Sequence, residues 1–114
     1  MSNNKPEKPS ITQLMNMAEE MQKNMQEMQK KLGEKEIIGK AGGGGIEVLV
    51  KMNGKMEMLG IKMSPDARAA KDEILDEIIV SAVNQAIQKA QGLTKDAMVD
   101  IYQKIGMPFQ DEEK

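Results

Sequence analysis

The apolar residues in the first third of the chain recur at intervals of three and four, the spacing of a heptad seam. This spacing predicts a helix from Ser10 to Leu32, with Ser10 as N-cap, Gln13 completing a capping box and Gly33 as the stop. The seam consists of Ile11, Leu14, Ala18, Met21, Met25, Met28 and Leu32. Such a seam either covers the chain's own sheet or pairs with a second copy. We favour self-association, with the remaining apolar surface covering the sheet.

The next part of the chain alternates apolar and polar residues, which is typical of β-strands. Strands are predicted at 36–39, 46–52 and 55–63. Asn53-Gly54, between the last two, is a type I′ hairpin signal. A two-residue turn there predicts pairs of Val50 with Glu57, Val48 with Leu59 and Ile46 with Ile61, and leaves Leu49 and Met58 on the other side. Both faces of this sheet then require cover or a partner chain.

The four consecutive glycines from Gly42 to Gly45 have two interpretations. Glycine-rich loops bind phosphates, but this run lacks the Gly-Lys-Ser/Thr ending of a phosphate loop, and a strand follows it instead of a helix. We therefore predict a flexible connection between two strands.

The last third returns to helical spacing from about Asp72, after a short turn at 67–71. Gly92 and Thr94 leave two alternatives, a single helix with a weak point at Gly92 or a further helix capped by Thr94. The helical region is expected to end at Gly106-Met107-Pro108. The predicted fold is α+β: a helix, a three-stranded antiparallel sheet and a long C-terminal helix.

The composition argues against an enzyme. The 114 residues include no Cys, His or Trp, so the commonest general base near neutral pH and the commonest metal ligand are missing. No catalytic motif, metal site, cofactor site or small-molecule site is recognisable. No segment has the roughly eighteen continuous apolar residues of a membrane span, and the chain is expected in the cytoplasm.

Length and charge suggest one domain with a partner. We expect disorder at 1–9, a single domain at 10–109 and an acidic tail at 110–114. A domain of this size buries only about two-thirds of its unfolded surface, so a second copy would help. The formal net charge is -2, with residues 1–63 at +2 and residues 64–114 at -4. Binding to a polyanion would therefore depend on a local basic patch.

Several segments in combination resemble the YbaB/EbfC family of bacterial nucleoid-associated proteins. They are LMNMAEEMQKNMQEMQKKL, IIGKAGGGGIEVLVKMNGKMEMLGIKMSP, the helix around DEIIVSAVNQAIQKA and the terminal GMPF, within residues 11–109. The combination of these segments is fairly specific to the family. The resemblance implies a homodimer with joined sheets and projecting terminal helices, which binds DNA, changes its shape and acts in nucleoid organisation and gene regulation.

Lysines are the candidate DNA contacts. The chain has one arginine, Arg68, and arginine is the usual reader of guanine edges and narrow minor grooves. Contacts between lysine and phosphate position a protein without reading sequence. The candidates are Lys23, Lys30, Lys31, Lys89 and Lys95. For each, the alternative is an ordinary solvated lysine, and Lys23 between Glu19 and Glu27 also fits a surface charge ladder.

The candidate dimer contacts come from the helix seam and the second strand: Leu14, Ala18, Met21, Met25, Met28, Ile46, Val48 and Val50. Two functions compete at this point. The first is a homodimeric DNA-binding protein that contacts phosphates. The second is a methionine-rich helical module that binds a protein partner and no DNA, since methionine surfaces adapt to varied partners.

Overall fold

The computed structural model describes residues 10–106 of the chain. The elements in chain order are α1 (Ile11–Glu34), β1 (Glu36–Gly43), β2 (Ile46–Asn53), β3 (Met58–Met63), α2 (Pro65–Arg68) and α3 (Asp72–Ile105). The predicted α+β fold is confirmed, with an antiparallel sheet in the order β1-β2-β3. The predictions for residues 1–9 and 110–114, and for the chain after Gly106, fall outside the described range.

The start of α1 is as predicted, but its end is not. The Gln13 N–H donates to Ser10 Oγ at 3.1 Å, and the Ser10 N–H donates to Gln13 Oε1 at 2.8 Å, which completes the capping box. Gly33 was expected to stop the helix, but α1 continues to Glu34 and its C-cap is Lys35. A glycine ends a helix by adopting a left-handed backbone conformation, and Gly33 has no positive φ.

The glycine run connects two strands, as predicted, but the connection is a tight turn of two residues. β1 continues to Gly43, which pairs with Ile46 across the hairpin. Gly44 and Gly45 make the two-residue turn between them, with φ values of +63° and +91°. Positive φ at both central residues is the requirement of a type I′ turn, and glycine meets it without strain.

The second hairpin has a different register from the predicted one. Val50 pairs with Ile61 and Val48 with Met63, so the partners lie four residues further along β3 than expected. The predicted pairing of Ile46 with Ile61 is wrong for the same reason. Leu49 pairs with Lys62 and does not face Met58. Because this shift is an even number of residues, Ile61 stays on its predicted face of the sheet. A further register shift at Lys51/Met52 pairs Met58 with Met52, so Met58 lies on the opposite face from the one predicted.

Asn53 and Gly54 explain the longer loop. The buried Asn53 side chain accepts from the N–H groups of Lys55 and Glu57, at 2.9 and 3.1 Å, and donates to Glu57 Oε1 at 2.7 Å. Gly54 lies against α1, where its N–H donates to the Leu32 carbonyl at 2.8 Å. A Cβ on Gly54 would lie 2.7 Å from that carbonyl oxygen. The glycine therefore permits a tertiary contact and does not supply a two-residue turn.

α3 is one continuous helix of 34 residues, about 51 Å long, and it passes Gly92 without a break. Its N-terminal half covers one face of the sheet. The contact is a stripe of fully buried alanines, Ala82, Ala86 and Ala90, which packs in one core with the buried β2 residues Val48, Val50 and Met52. The alanines of α3 and Gly39 of β1 let helix and sheet approach closely.

The C-terminal half of α3 leaves the sheet and packs against α1. The buried residues of this second core are Met28, Leu32 and Ile101, joined by Met21, Met25, Leu93, Ala97, Met98, Tyr102 and Ile105. The expectation that α1 covers the sheet is wrong, because α3 occupies that face. We call residues 11–35 together with residues 89–106 the helical arm. The radius of gyration is 21.3 Å, against about 13 Å for a compact domain of this length.

Candidate nucleic-acid interface

Charge is distributed unevenly along the molecule. The helical arm carries seven lysines and six acidic residues, a net charge of +1, whereas residues 36–88 carry six basic and eight acidic residues, a net charge of -2. The first turns of α3 contain Asp72, Glu73, Asp76 and Glu77, all exposed, at the end of α3 far from the arm. A polyanion is therefore repelled at one end of α3 and not at the other.

Lys23 and Lys30 lie on the outer face of α1. They are seven residues apart and hence on one side of the helix, opposite the methionines that pack on α3. Both side chains are exposed, and neither makes an ion pair within residues 10–106. In that part of the chain, Lys23 makes no ion pair within 4.0 Å with Glu19 or Glu27, so the alternative of a surface charge ladder is not formed. Both ammonium groups are therefore available to an incoming phosphate.

Lys31 borders the cleft between α1 and α3, which has a volume of about 280 Å³. The cleft is also lined by Lys35 and Lys104, and by the acidic side chains of Glu27, Asp96 and Asp100. Lys104 pairs with Asp100 at 3.5 Å. With as many acidic as basic side chains, the cleft itself is a poor site for a polyanion, and the exposed Lys31 lies at its border.

Lys89 and Lys95 both lie on α3, in different surroundings. Lys89 Nζ donates to the backbone carbonyl of Ile38 at 2.9 Å, so it is held at the edge of the sheet. Lys95 is exposed one and a half turns further along α3. The five predicted lysines thus do not form one compact patch, and they are spread from the sheet edge along the helical arm.

The sheet face opposite α3 carries Lys40, Lys51 and Lys62 around Leu49. Sequence reasoning did not select these lysines. Lys40 pairs with Glu47 at 3.1 Å and Lys51 pairs with Glu36 at 3.7 Å. Because two of the three lysines already have acidic partners, this face is a weaker candidate for phosphate contact than the outer face of α1.

The predicted dimer residues fall into two groups. Val48 and Val50 are fully buried under α3, and Met21, Met25 and Met28 pack against α3 of the same chain. Leu14 and Ala18 are exposed, and Ile46 is half-buried. Sequence reasoning missed the outer edge of β3, where Met58, Leu59 and Ile61 are 49%, 52% and 39% exposed. Because β3 is an edge strand in the predicted order of strands as well as in the observed one, its apolar residues were a signal available in the sequence.

The chemistry available in the described part of the chain is limited. Between residues 10 and 106, Asn53 is the one buried polar side chain, and no group of acidic residues is arranged to hold a metal ion. None of the helices in this range is long and apolar enough to cross a membrane. What the geometry does provide is an exposed helix face that carries Lys23 and Lys30 among acidic residues, and an exposed apolar strand edge.

Comparison with known proteins gives consistent results. The profile of the YbaB/EbfC DNA-binding family matches residues 7–105. A nucleoid-associated protein of Clostridium novyi is 41% identical over 100 residues, covering 87% of this chain and 86% of the relative. Another from Chloroflexus aurantiacus is 42% identical over 87 residues, covering 75% of this chain and 85% of the relative. The crystal structure of the uncharacterized protein HP0035 from Helicobacter pylori has a TM-score of 0.72 at 19% identity, covering 82% of this chain and 98% of that one. This last likeness concerns the fold alone.

Proposed function

The chain belongs to the YbaB/EbfC DNA-binding family, and from this we propose that it is a homodimeric nucleoid-associated protein that binds duplex DNA through lysine–phosphate contacts. The domain at 10–109 acts as one DNA-binding unit without catalytic activity. In the bacterial cytoplasm it associates with the nucleoid, alters the conformation of DNA, and so contributes to nucleoid organisation and gene regulation. The observation that carries the proposal is the family match across residues 7–105.

The outer face of α1 is the primary contact surface in this proposal. Lys23 and Lys30 are exposed there without an acidic partner in the described chain, and they are about 10 Å apart along the helix axis. Lys31, Lys89 and Lys95 add contacts along the same arm. Contacts of this kind bind any sequence and weaken as salt rises, because each one releases condensed counterions from the DNA.

The homodimer contact in this proposal is the β3 edge. Met58, Leu59 and Ile61 expose apolar side chains along an edge strand, which is a template for strand pairing with another chain. A second copy paired there in antiparallel fashion gives a continuous six-stranded sheet with a helical arm on each side. Two arms fixed to one sheet contact the DNA at two places, which restrains its path.

The packing of α1 disfavours the alternative of a methionine-rich protein-binding module. Met21, Met25 and Met28 contact α3 of their own chain, so the most methionine-rich part of the seam is already occupied. Recovery of a stoichiometric protein partner after nuclease treatment, together with no DNA affinity, would support this alternative and count against our proposal.

The DNA contact is tested by Lys30→Gln, with Lys71→Gln as matched control. Both substitutions remove one exposed charge, but Lys71 lies outside the arm, beside the acidic start of α3. By fluorescence anisotropy on random-sequence duplex DNA at 0.1 M salt, we expect Lys30→Gln to weaken binding about fivefold to tenfold. Lys71→Gln should change it less than about twofold. Equal losses from the two substitutions would contradict a contact at the arm.

The dimer contact is tested by Ile61→Lys, with Ile38→Lys as matched control. The two isoleucines are similarly exposed, 39% and 41%, but Ile38 lies on the other edge strand. In sedimentation velocity, Ile61→Lys should shift the protein toward monomer, whereas Ile38→Lys should leave the dimer intact. A monomeric wild-type protein at micromolar concentration, or a dimer unaffected by Ile61→Lys, would contradict the proposal.

A further inference from the structure

The sheet has two edge strands, β1 and β3, and they differ in whether side chains bond to their outward backbone groups. The Ser64 N–H donates to the Glu47 carbonyl at 2.9 Å, which identifies these two residues as a hydrogen-bonded pair. Such pairs alternate along an antiparallel ladder, so the N–H and C=O groups of Ile61 and Met63 point away from β2. The same alternation on the other side of β2 turns the backbone groups of Ile38 and Lys40 outward from β1.

The outward groups of β1 are occupied by side chains of α3. Gln85 Oε1 accepts from the Lys40 N–H at 2.8 Å, and Lys89 Nζ donates to the Ile38 carbonyl at 2.9 Å. The carbonyl of one residue and the N–H two residues later point to the same side of a strand. The two side chains therefore cover adjacent groups that an incoming strand would need. Within residues 10–106, no side chain bonds to the outward groups of Ile61 or Met63.

The close packing of α3 on the sheet brings these two side chains to the β1 edge. Gln85 and Lys89 are one helical turn apart and so lie on the same side of α3. The helix backbone at Ala82 and Ala86 lies so near Gly39, between Ile38 and Lys40, that a Cβ on Gly39 would clash with it. At this separation, the side chains on the flank of α3 reach the strand edge directly.

We propose that Gln85 and Lys89 block strand addition at β1, so that a second copy of the chain can extend the sheet only at β3. This inference rests on the dimer proposed above. A sheet with two open edges can add copies at both, which leads to open-ended assemblies, whereas one blocked edge leaves a closed two-fold pair. Lys89, predicted as a phosphate contact, thereby has a second role in limiting assembly.

The test compares two double variants. In Gln85→Met with Lys89→Met, both side chains keep similar length but lose the acceptor and the donor. In the matched control, Gln85→Glu with Lys89→Arg, an acceptor oxygen and a donor nitrogen remain at both positions. Sedimentation velocity over a concentration series measures assembly size. We expect the methionine variant to form species larger than the wild-type dimer, increasing with concentration, and the control to match wild type.

Amide hydrogen exchange gives a second readout, first in the wild type and then in the methionine variant. In the wild type, the Lys40 amide should exchange more slowly than the Ile38 amide, which also points outward but has no side-chain acceptor in the described chain. In the methionine variant, protection of Lys40 should fall about tenfold, as expected for the loss of one hydrogen bond. Equal exchange of the two amides in the wild type, or equal assembly of the two double variants, would overturn the inference. A monomeric wild type that assembles only in the methionine variant would contradict the β3 dimer and support the blocked edge.

Discussion

Substitution of Gly39 by alanine tests the close contact between α3 and the sheet. A Cβ at this position would collide with the Ala82 carbonyl oxygen, and would lie 2.8 Å from the Ala86 nitrogen and 2.9 Å from the Ala86 Cβ. Ordinary contacts between such atoms are about 3.5–4.0 Å. The obstructing atoms belong to the helix backbone, which no rotamer change can move, so α3 must shift by about 1 Å.

We therefore expect a cost near the upper end of overpacking, about 3 kcal/mol. With a urea m-value of about 1.5 kcal/mol/M, this corresponds to a midpoint lower by about 2 M. The matched control is Gly43→Ala in the same strand, where an added Cβ has no atom within 4 Å and φ is not positive. Its midpoint should stay within about 0.3 M of wild type. Both are measured at equal protein concentration, because dimerisation adds to stability. Similar midpoints for the two variants would refute the contact.

Three further substitutions test other parts of the fold by urea unfolding. Asn53→Ala should cost about 1–3 kcal/mol, because the loop amides and the Glu57 carboxylate lose their partner; wild-type stability would contradict that role. Leu32→Ala removes a buried side chain of the arm and should cost about 2–4 kcal/mol. Leu14 is 50% exposed, so Leu14→Ala should cost under about 1 kcal/mol. Gly92→Ala should stabilise by about 0.5–1 kcal/mol, because Gly92 lies inside α3 with open space around it; destabilisation would contradict a continuous helix.

Local signals predicted the elements of this fold well. The capping box at Ser10 and the helical spacing of the apolar residues depend on residues within one or two turns, and both predict α1 correctly except for its end. The interruption at Gly92 could not be resolved from sequence, because a glycine costs a helix only about 1 kcal/mol and packing against α1 can offset that cost.

Tertiary contacts account for most of the errors. Asn53-Gly54 has the composition of a two-residue turn, yet Gly54 is needed beside the Leu32 carbonyl, and the turn extends to satisfy the Asn53 side chain. The seam of α1 was expected to cover the sheet, but the 34-residue α3 is long enough to cover the sheet and still pack against α1. The contact of Gly54 with Leu32 and the packing of α1 on α3 join residues far apart in the chain, so a short window of sequence does not encode them.

In the candidate site, too, local features could be predicted from the sequence and long-range contacts could not. An exposed lysine can be recognised from helical periodicity, and Lys23 and Lys30 lie on the outer face of α1 as that periodicity requires. The bond from Lys89 to the Ile38 carbonyl joins residues 51 positions apart, so sequence alone could not separate it from the other lysines.

The salt dependence of DNA binding by the wild-type protein tests the central claim most directly. The measurement is the slope of log K against log salt for random-sequence duplex DNA. Lysine–phosphate contacts predict a negative slope of about 0.9 per contact, hence steeper than about -3 for a dimer with Lys23 and Lys30 on each arm, and the same slope on unrelated sequences. Absence of binding at low salt, or an affinity that does not change with salt, would contradict the account.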